Sequence, residues 1–296
     1  MRPSSPVSAR LVVVLALGLA GVPPAFVGAL TPSPLAAKPP RPAVAGVAVA
    51  TLSWMDEGVE REDALGKIGW HAMKAGDSVK TGDRLRTAPE GIARFDLPWM
   101  SVTAGPATVM YVPAEVVLSL VLLEGRAEFE ATGREIVKVR TAEAVIRGSG
   151  RIVVRRSSDR TIVMAMAMEG SFRVEASGET VVIQAGEGTL VRDGEAPGPA
   201  QSLPDSPQGL RPGADPLYVP SGQPATLSWS PPAASSHIQV MALGSDVVLI
   251  ARDVSVLPYA LVIPWEGTYR WRVSSRDAQG LESRPSEEGL ICVVEK

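Results

Sequence analysis

The chain has 296 residues, room for two modest domains and a tail. Its residues are 45% hydrophobic but only 5% aromatic, so its cores must be built from Val, Ile, Leu, Ala and Met. A net charge of −3 argues neither for a nucleic-acid partner nor for strong surface steering, and the single cysteine, Cys292, rules out a disulfide within the chain.

The first residues read as an export signal. Arg2 and Arg10 precede a short apolar run, Leu11 to Ala20, which Pro23-Pro24 breaks before the small residues Val27-Gly28-Ala29. The run is short for a membrane span, so residues 1–29 are expected to be a cleaved signal helix, with an uncleaved anchor as the alternative. No cysteine lies nearby, which argues against a lipoprotein. Residues 30–43 form a Pro/Ala-rich linker, an extended spacer.

Val44 to Trp54 reads as a first strand, and the acidic stretch Met55 to Gly66 as a loop or one helical turn. Trp70 to Thr87 gives two short strands punctuated by Gly76-Asp77 and Gly82-Asp83. There glycine supplies positive φ and aspartate bonds its own backbone. Ile92 to Leu97 alternates, and Val116 to Leu123 is apolar on both faces, as a central strand would be.

Between Leu122 and Val191 one pattern occurs twice, Glu124 to Gly133 and Glu169 to Gly178, at a constant offset of 45 residues. In the first copy Ala127, Phe129 and Ala131 alternate with Arg126, Glu128 and Glu130. In the second Phe172, Val174 and Ala176 alternate with Ser171, Arg173 and Glu175. Each copy predicts a strand with one face buried and one wet. Each then meets a polar-Gly turn and a β-branched run, Ile136-Val137-Lys138-Val139 or Val181-Val182-Ile183, which predicts two hairpins.

Thr161 to Met168 places Ile162, Met164, Met166 and Met168 on one face and Val163, Ala165 and Ala167 on the other. Soft copper(I) is one reading of the methionines; a strand buried on both faces is the simpler one. Arg147, Arg151, Arg155, Arg156 and Arg160 cluster in sequence, either as an anion or headgroup patch or as arginines paired with nearby glutamates.

On these residues the chain resembles the FecR-type domain. The family's run survives in Val139, Thr141, Ala142, Val145, Ile146, Arg147 and Gly148, followed by Met168 to Val174 and the closing Ala185-Gly186-Glu187. Gly76-Asp77 to Gly82-Asp83 and Thr87 look like its opening turns. The likeness spans roughly residues 46 to 192. It departs at Ser149, where the family has Thr, at Gly150-Arg151-Ile152, and at Asp96 to Ser101, where a Asp-Gly-Ser turn is missing. The motif residues are Gly82, Asp83, Thr141, Arg147, Gly148, Gly170, Gly186 and Glu187, structural or partner-binding in role. The resemblance implies extracytoplasmic signalling, in which such regulators sense an outer-membrane transporter and control a sigma factor. Only Met1 to Arg10 precede the apolar run here, too little for a cytoplasmic anti-sigma segment, so that activity is not expected.

Residues 195–224 hold eight prolines and read as a second linker. Residues 225–296 resemble a fibronectin type III or Ig-like sandwich. Trp229 is the early core tryptophan, Tyr269, Trp271 and Val273 alternate on a late strand, and Asp277 to Ser283 forms the loop before the last strand. Cys292 is expected to be a buried free thiol there.

No catalytic constellation emerges. His71 and His237 lie in different parts, no zinc-type spacing exists, and Gly148-Ser149-Gly150 matches neither a nucleophile elbow nor a dinucleotide loop. The expectation is therefore an all-β, exported, periplasmic or extracellular protein without enzyme activity, cofactor or metal, with a hydrolase built on two of the scattered carboxylates kept open as a further alternative. A FecR-like β-domain of repeated hairpins (44–194) precedes the sandwich. The expected partner is an envelope protein, with a peptidoglycan or glycan binder using Trp70 and Trp99 as the alternative. No nucleic acid is expected, and membrane only through an uncleaved N-terminal helix.

Overall fold

The computed structural model describes residues 46–63, 69–114, 119–133, 135–157, 159, 162–231 and 233–295. The expected signal and first linker, residues 1–43, lie outside these, as does Arg160. The described chain is all-β, as its composition and alternation predict. No helix among the described residues is long and apolar enough to cross a membrane.

One large sheet holds residues 48 to 202. Its strand order runs Ser78–Lys80, Ala48–Asp56, Ile92–Asp96, Met100–Ala104, Leu120–Ala131, Val137–Arg140, Val145–Arg156, Ile162–Ala176, Glu187–Arg192, Gln201–Ser202. Val59–Glu62, His71–Ala72, Arg84–Thr87 and Val109–Tyr111 branch from it, and Glu179–Gln184 pairs with Ile162–Ala176. The acidic stretch after Met55, read as loop, thus contains a strand. Its Glu60 and Glu62 stand opposite Arg86 and Arg84, so cross-strand charge replaces apolar alternation there. The Gly-Asp turns form as expected: Asp77 Oδ2 accepts from Lys74 N at 2.9 Å and Asp83 Oδ2 from Lys80 N at 2.8 Å.

The three longest strands change partners along their length, which folds the sheet around a single core. Leu120–Ala131 pairs with Val109–Tyr111 and, in parallel, with Val137–Arg140 before Gly125. Beyond it, the strand pairs with Met100–Ala104 and Arg151–Arg156. Phe95, Phe129, Phe172, Leu122, Ile146 and Ile152 fill the interior. Each such side chain contributes about 1.5–3 kcal/mol by leaving water.

Glycine is required where these strands bend. Gly125 and Gly170, at matching positions of the two repeats, have φ of 88° and 78°. An added Cβ at Gly170 would lie 1.9 Å from Ser149 O, and at Gly148 2.1 Å from Ser171 O. The Gly148-Ser149-Gly150 run is therefore a close approach of two paired strands.

Only the second repeat makes the predicted hairpin. Ser177 and Gly178, with φ of 49° and 82°, turn the chain so that Arg173 faces Val182. The first repeat does not. Both edges of its strand are already taken, by Met100–Ala104 and Arg151–Arg156. Past Gly133 the chain crosses instead to a slot between Leu120–Val121 and Val145–Gly148. Ile136, predicted to begin that strand, is left exposed outside it.

The C-terminal part is a β-sandwich. A three-stranded sheet (Gln208–Arg211, Pro224–Ser230, Tyr259–Val262) faces a five-stranded one ordered Leu217–Pro220, Gly289–Val294, Gly267–Arg276, Ser235–Ala242, Val248–Val254. Trp229 and Trp271 meet in the core with ring centroids 6.1 Å apart, and Tyr269 and Val273 point the same way. The proline-rich stretch 195–224 is not a free spacer. Its short strands pair with Glu187–Arg192, with Pro224–Ser230 and with Gly289–Val294. Prolines are tolerated because these strands are short and lie at sheet edges. Cys292 is half-buried, its Sγ 3.7 Å from Thr268 Oγ1.

Candidate functional site: the charged seam and its arginine cleft

The motif residues do not gather at one place; they shape turns and bends. Asp83 is buried and caps the turn made by Gly82, whose φ is 92°. Thr141 Oγ1 accepts from the backbone nitrogens of Glu143 and Ala144 at 3.2 and 2.9 Å, closing the turn before Val145. Glu187 Oε2 accepts from Gln184 N at 2.8 Å, and Gly186, with φ of 88°, lets that turn form. Gly148 and Gly170 are brought together by register, flanked by Arg147, which is exposed opposite Arg173.

Nor do the arginines that cluster in sequence make one patch. Arg156 pairs with buried Glu143, and its Nη1 donates to Leu123 O at 2.5 Å. Arg151 Nη2 contacts Glu169 Oε1 at 2.7 Å and its Nη1 lies 3.6 Å from Glu128 Oε1. Arg155 turns into the seam described next.

The face of the first repeat expected to be wet is covered. Alternation puts Arg126 and Glu128 on the outer face of their strand, beside Arg151, Val153 and Arg155 on the next and Met164, Met166 and Met168 on the third. The outer face of the five-stranded sheet, with His237, Gln239, Arg272 and Arg276, closes over this surface. The loop Asp277 to Ser283, held by Asp277 Oδ1 accepting from Gln279 N and Leu281 N at 2.9 Å each, inserts Leu281 and Glu282. Leu281 is fully buried against Val153 and the three methionines. These methionines thus fill the seam, while Val163, Ala165 and Ala167 face the sheet core. Ile92, Met241, Val248 and Ala251 make a second apolar cluster elsewhere on the seam.

Charge fills the space between. Arg126 donates twice to Glu282, Nε to Oε2 at 3.1 Å and Nη2 to Oε1 at 2.8 Å. Arg276 Nε also reaches Glu282 Oε2, at 3.3 Å, and donates to Asp253 through Nη1 at 2.6 Å and Nη2 at 2.8 Å. Asp253 Oδ1 lies 2.7 Å from His237 Nδ1. A carboxylate only accepts, so Nδ1 carries the proton; Nε2 is buried with no partner among the described residues. Burial alone would raise Glu282, but Arg126, His237 and Arg276 outweigh it and hold its pKa down to about 2. Burial would raise Asp253 too, and hydrogen bonds from His237 and Arg276 instead hold it far below the usual carboxylate range. Burial, reinforced by the positive field of Arg126, pushes His237 down from 6.5, so it is neutral at pH 7.

At the rim the seam opens into a cleft of about 440 Å³. Arg151, Arg272 and Arg284 line it with Met168, Glu169 and Gly170. Burial lowers the basicity of Arg272; Glu128 opposes this and Arg151 adds to it. No cluster of three or more His, Cys, Asp or Glu suited to a metal occurs among the described residues. Trp99, weighed for glycan stacking, is in the core, and Trp70 lies beneath Arg84 and Arg86, whose guanidinium carbons are 5.6 and 4.3 Å from its ring centroid. Sequence reasoning missed the seam. Arg126, Asp253, Arg276 and Glu282 carry no local sign of burial, and the sequence presents Glu282 only as part of a loop.

A free strand edge is the other feature of note. Glu179–Gln184 pairs on one side only among the described residues, and Val182 is 44% exposed on it. No family model matches this chain, and no curated protein matches it. Among solved structures, two crystal structures of a candidate anti-sigma factor from Parabacteroides distasonis are similar at 17% identity, with TM-scores of 0.36 and 0.35. Each match covers 40% of this chain and 59% of the other, so the chain spans under two thirds of that protein.

Proposed function

We propose that this is a non-catalytic, exported envelope protein that binds a protein partner as a signalling or scaffolding module. In this reading residues 44–194 are a FecR-like domain and the sandwich is of the fibronectin type III kind. The observation that carries the binding role is the edge Glu179–Gln184. It is β-branched, contains no proline or lysine, and offers an unpaired backbone ladder to a partner strand. The equivalent strand of the first repeat, Val137–Arg140, is enclosed on both sides and has nothing to offer.

A photo-crosslinking residue at position 182, in the exported full-length chain in cells, tests this. The expected result is one dominant protein adduct, absent when the probe sits at buried position 139. Adducts with wall fragments alone would overturn it and favour the glycan alternative.

A further inference from the structure

We propose that the cleft between Arg151, Arg272 and Arg284 is a binding site for an oxyanion group, a carboxylate or a phosphate, on a ligand of small-molecule size. The cleft lies on the seam and reaches Ala185, just past the Gln184 end of the strand Glu179–Gln184, but the proposal does not depend on partner binding at that strand's free edge.

Four observations support it. The cleft has the volume of a small-molecule site, about 440 Å³. Arg272 is fixed by Nε donating to Gln239 Oε1 at 2.8 Å, a neutral partner, and neither Nη atom has a partner among the described residues. Arg284 makes no side-chain hydrogen bond or ion pair there, and its guanidinium lies over Gly186, where an added Cβ would come 3.2 Å from Nη2. The Nε of Arg151 is buried and unpartnered. Buried donors without acceptors are rare in folded proteins, and a planar guanidinium fork with free Nη atoms matches a carboxylate or phosphate edge.

The opposing charge is small. Glu169 also lines the cleft, but its side chain is 63% exposed and is already engaged with Arg151, so it can withdraw as an anion enters. Glu128 lies behind Arg151 and is shared with Arg126, 3.8 Å away. Three arginines face one exposed wall carboxylate, Glu169, with Glu128 behind, which leaves an excess of positive charge at the cleft. Its two walls also belong to the two β parts, Arg151 to the large sheet and Arg272 and Arg284 to the sandwich. An anion bridging them would tighten the seam.

Isothermal titration of the full-length protein with inorganic phosphate, and separately with citrate, tests this against chloride at matched ionic strength. The expected result is saturable, one-to-one binding of one or both probes, weakened about tenfold or more by Arg272→Gln and by Arg284→Gln. Arg284 is exposed, so its variant keeps the fold even if Arg272→Gln disturbs the seam. The stronger probe identifies the group recognised. No saturable heat with either probe would overturn the proposal, and so would binding that both variants leave unchanged.

Discussion

The two copies of the repeat begin alike and end in different surroundings. Both bend at a positive-φ glycine, Gly125 or Gly170, and both turn their apolar residues into one core. They differ on the polar face. Ser171, Arg173 and Glu175 of the second copy meet solvent or lie half-buried, whereas Arg126 and Glu128 of the first lie beneath the sandwich. They differ again in the return strand, enclosed in the first copy and at an edge in the second. An alternating strand pattern specifies an inward face. What the outward face meets is decided by chain far away in sequence: Arg126 and Glu282 are 156 residues apart.

The largest expected effect is at the covered face. Arg126→Ala leaves Glu282 buried with half its positive partners removed, and should cost about 3–5 kcal/mol in urea unfolding. A loss under about 1 kcal/mol would mean that the seam is wetter than its geometry indicates. Next come the bends. Gly125→Ala and Gly170→Ala should each cost on the order of 3 kcal/mol, because a Cβ would meet backbone atoms at 2.7 and 1.9 Å. A large cost at only one of them would break the equivalence of the copies.

Acid should act at the seam that covers the first copy. His237, Asp253 and Glu282 all have folded pKa values below their unfolded ones, so the unfolded chain binds more protons and stability is lost as pH falls. The His237 share is present above its unfolded value of 6.5 and begins to be lost below it. The Glu282 share is complete above 4.5 and is lost as pH falls toward about 2. His237→Gln should flatten the upper limb and also shrink the lower one, because His237 is among the partners that hold Asp253 and Glu282 down, as read from denaturation midpoints against pH. The smallest effect is at the second copy's outward face, where Arg173→Ala should change stability by less than about 0.5 kcal/mol at any of these pH values. Hydrogen exchange gives the matching local contrast: amides of Glu179–Gln184 facing the free edge should exchange before those of Val137–Arg140.

Much of the fold was legible because it rests on local chemistry. Gly76-Asp77 and Gly82-Asp83 state their turns outright, Ser177-Gly178 states a hairpin, and Trp229, Tyr269, Trp271 and Val273 state a sandwich core. The first hairpin failed because Thr132-Gly133 permits a turn but does not reserve a free edge to fold back on. Val59–Glu62 was hidden because its pairing is by charge. The stretch 195–224 was hidden because prolines at sheet edges look the same as prolines in a spacer. The seam left no trace in periodicity, since Arg126 and Glu128 alternate in the same way whether water or Glu282 lies above them. The cleft was half-visible: Arg151 and Gly170 were singled out, but Arg272 and Arg284 join them only across the seam.

The parallel pairing of Leu217–Pro220 with Gly289–Val294 has a mechanical consequence. In a parallel pair the chain enters one strand at the end opposite to that by which it leaves the other. Tension applied between residue 216 and residue 295 therefore pulls the two strands lengthwise past each other, and every hydrogen bond of the pair bears load together. An antiparallel hairpin pulled from its open ends would instead unzip one bond at a time. The sandwich closes with a clasp loaded in shear, so it should yield to force applied along the chain later than its short strands suggest.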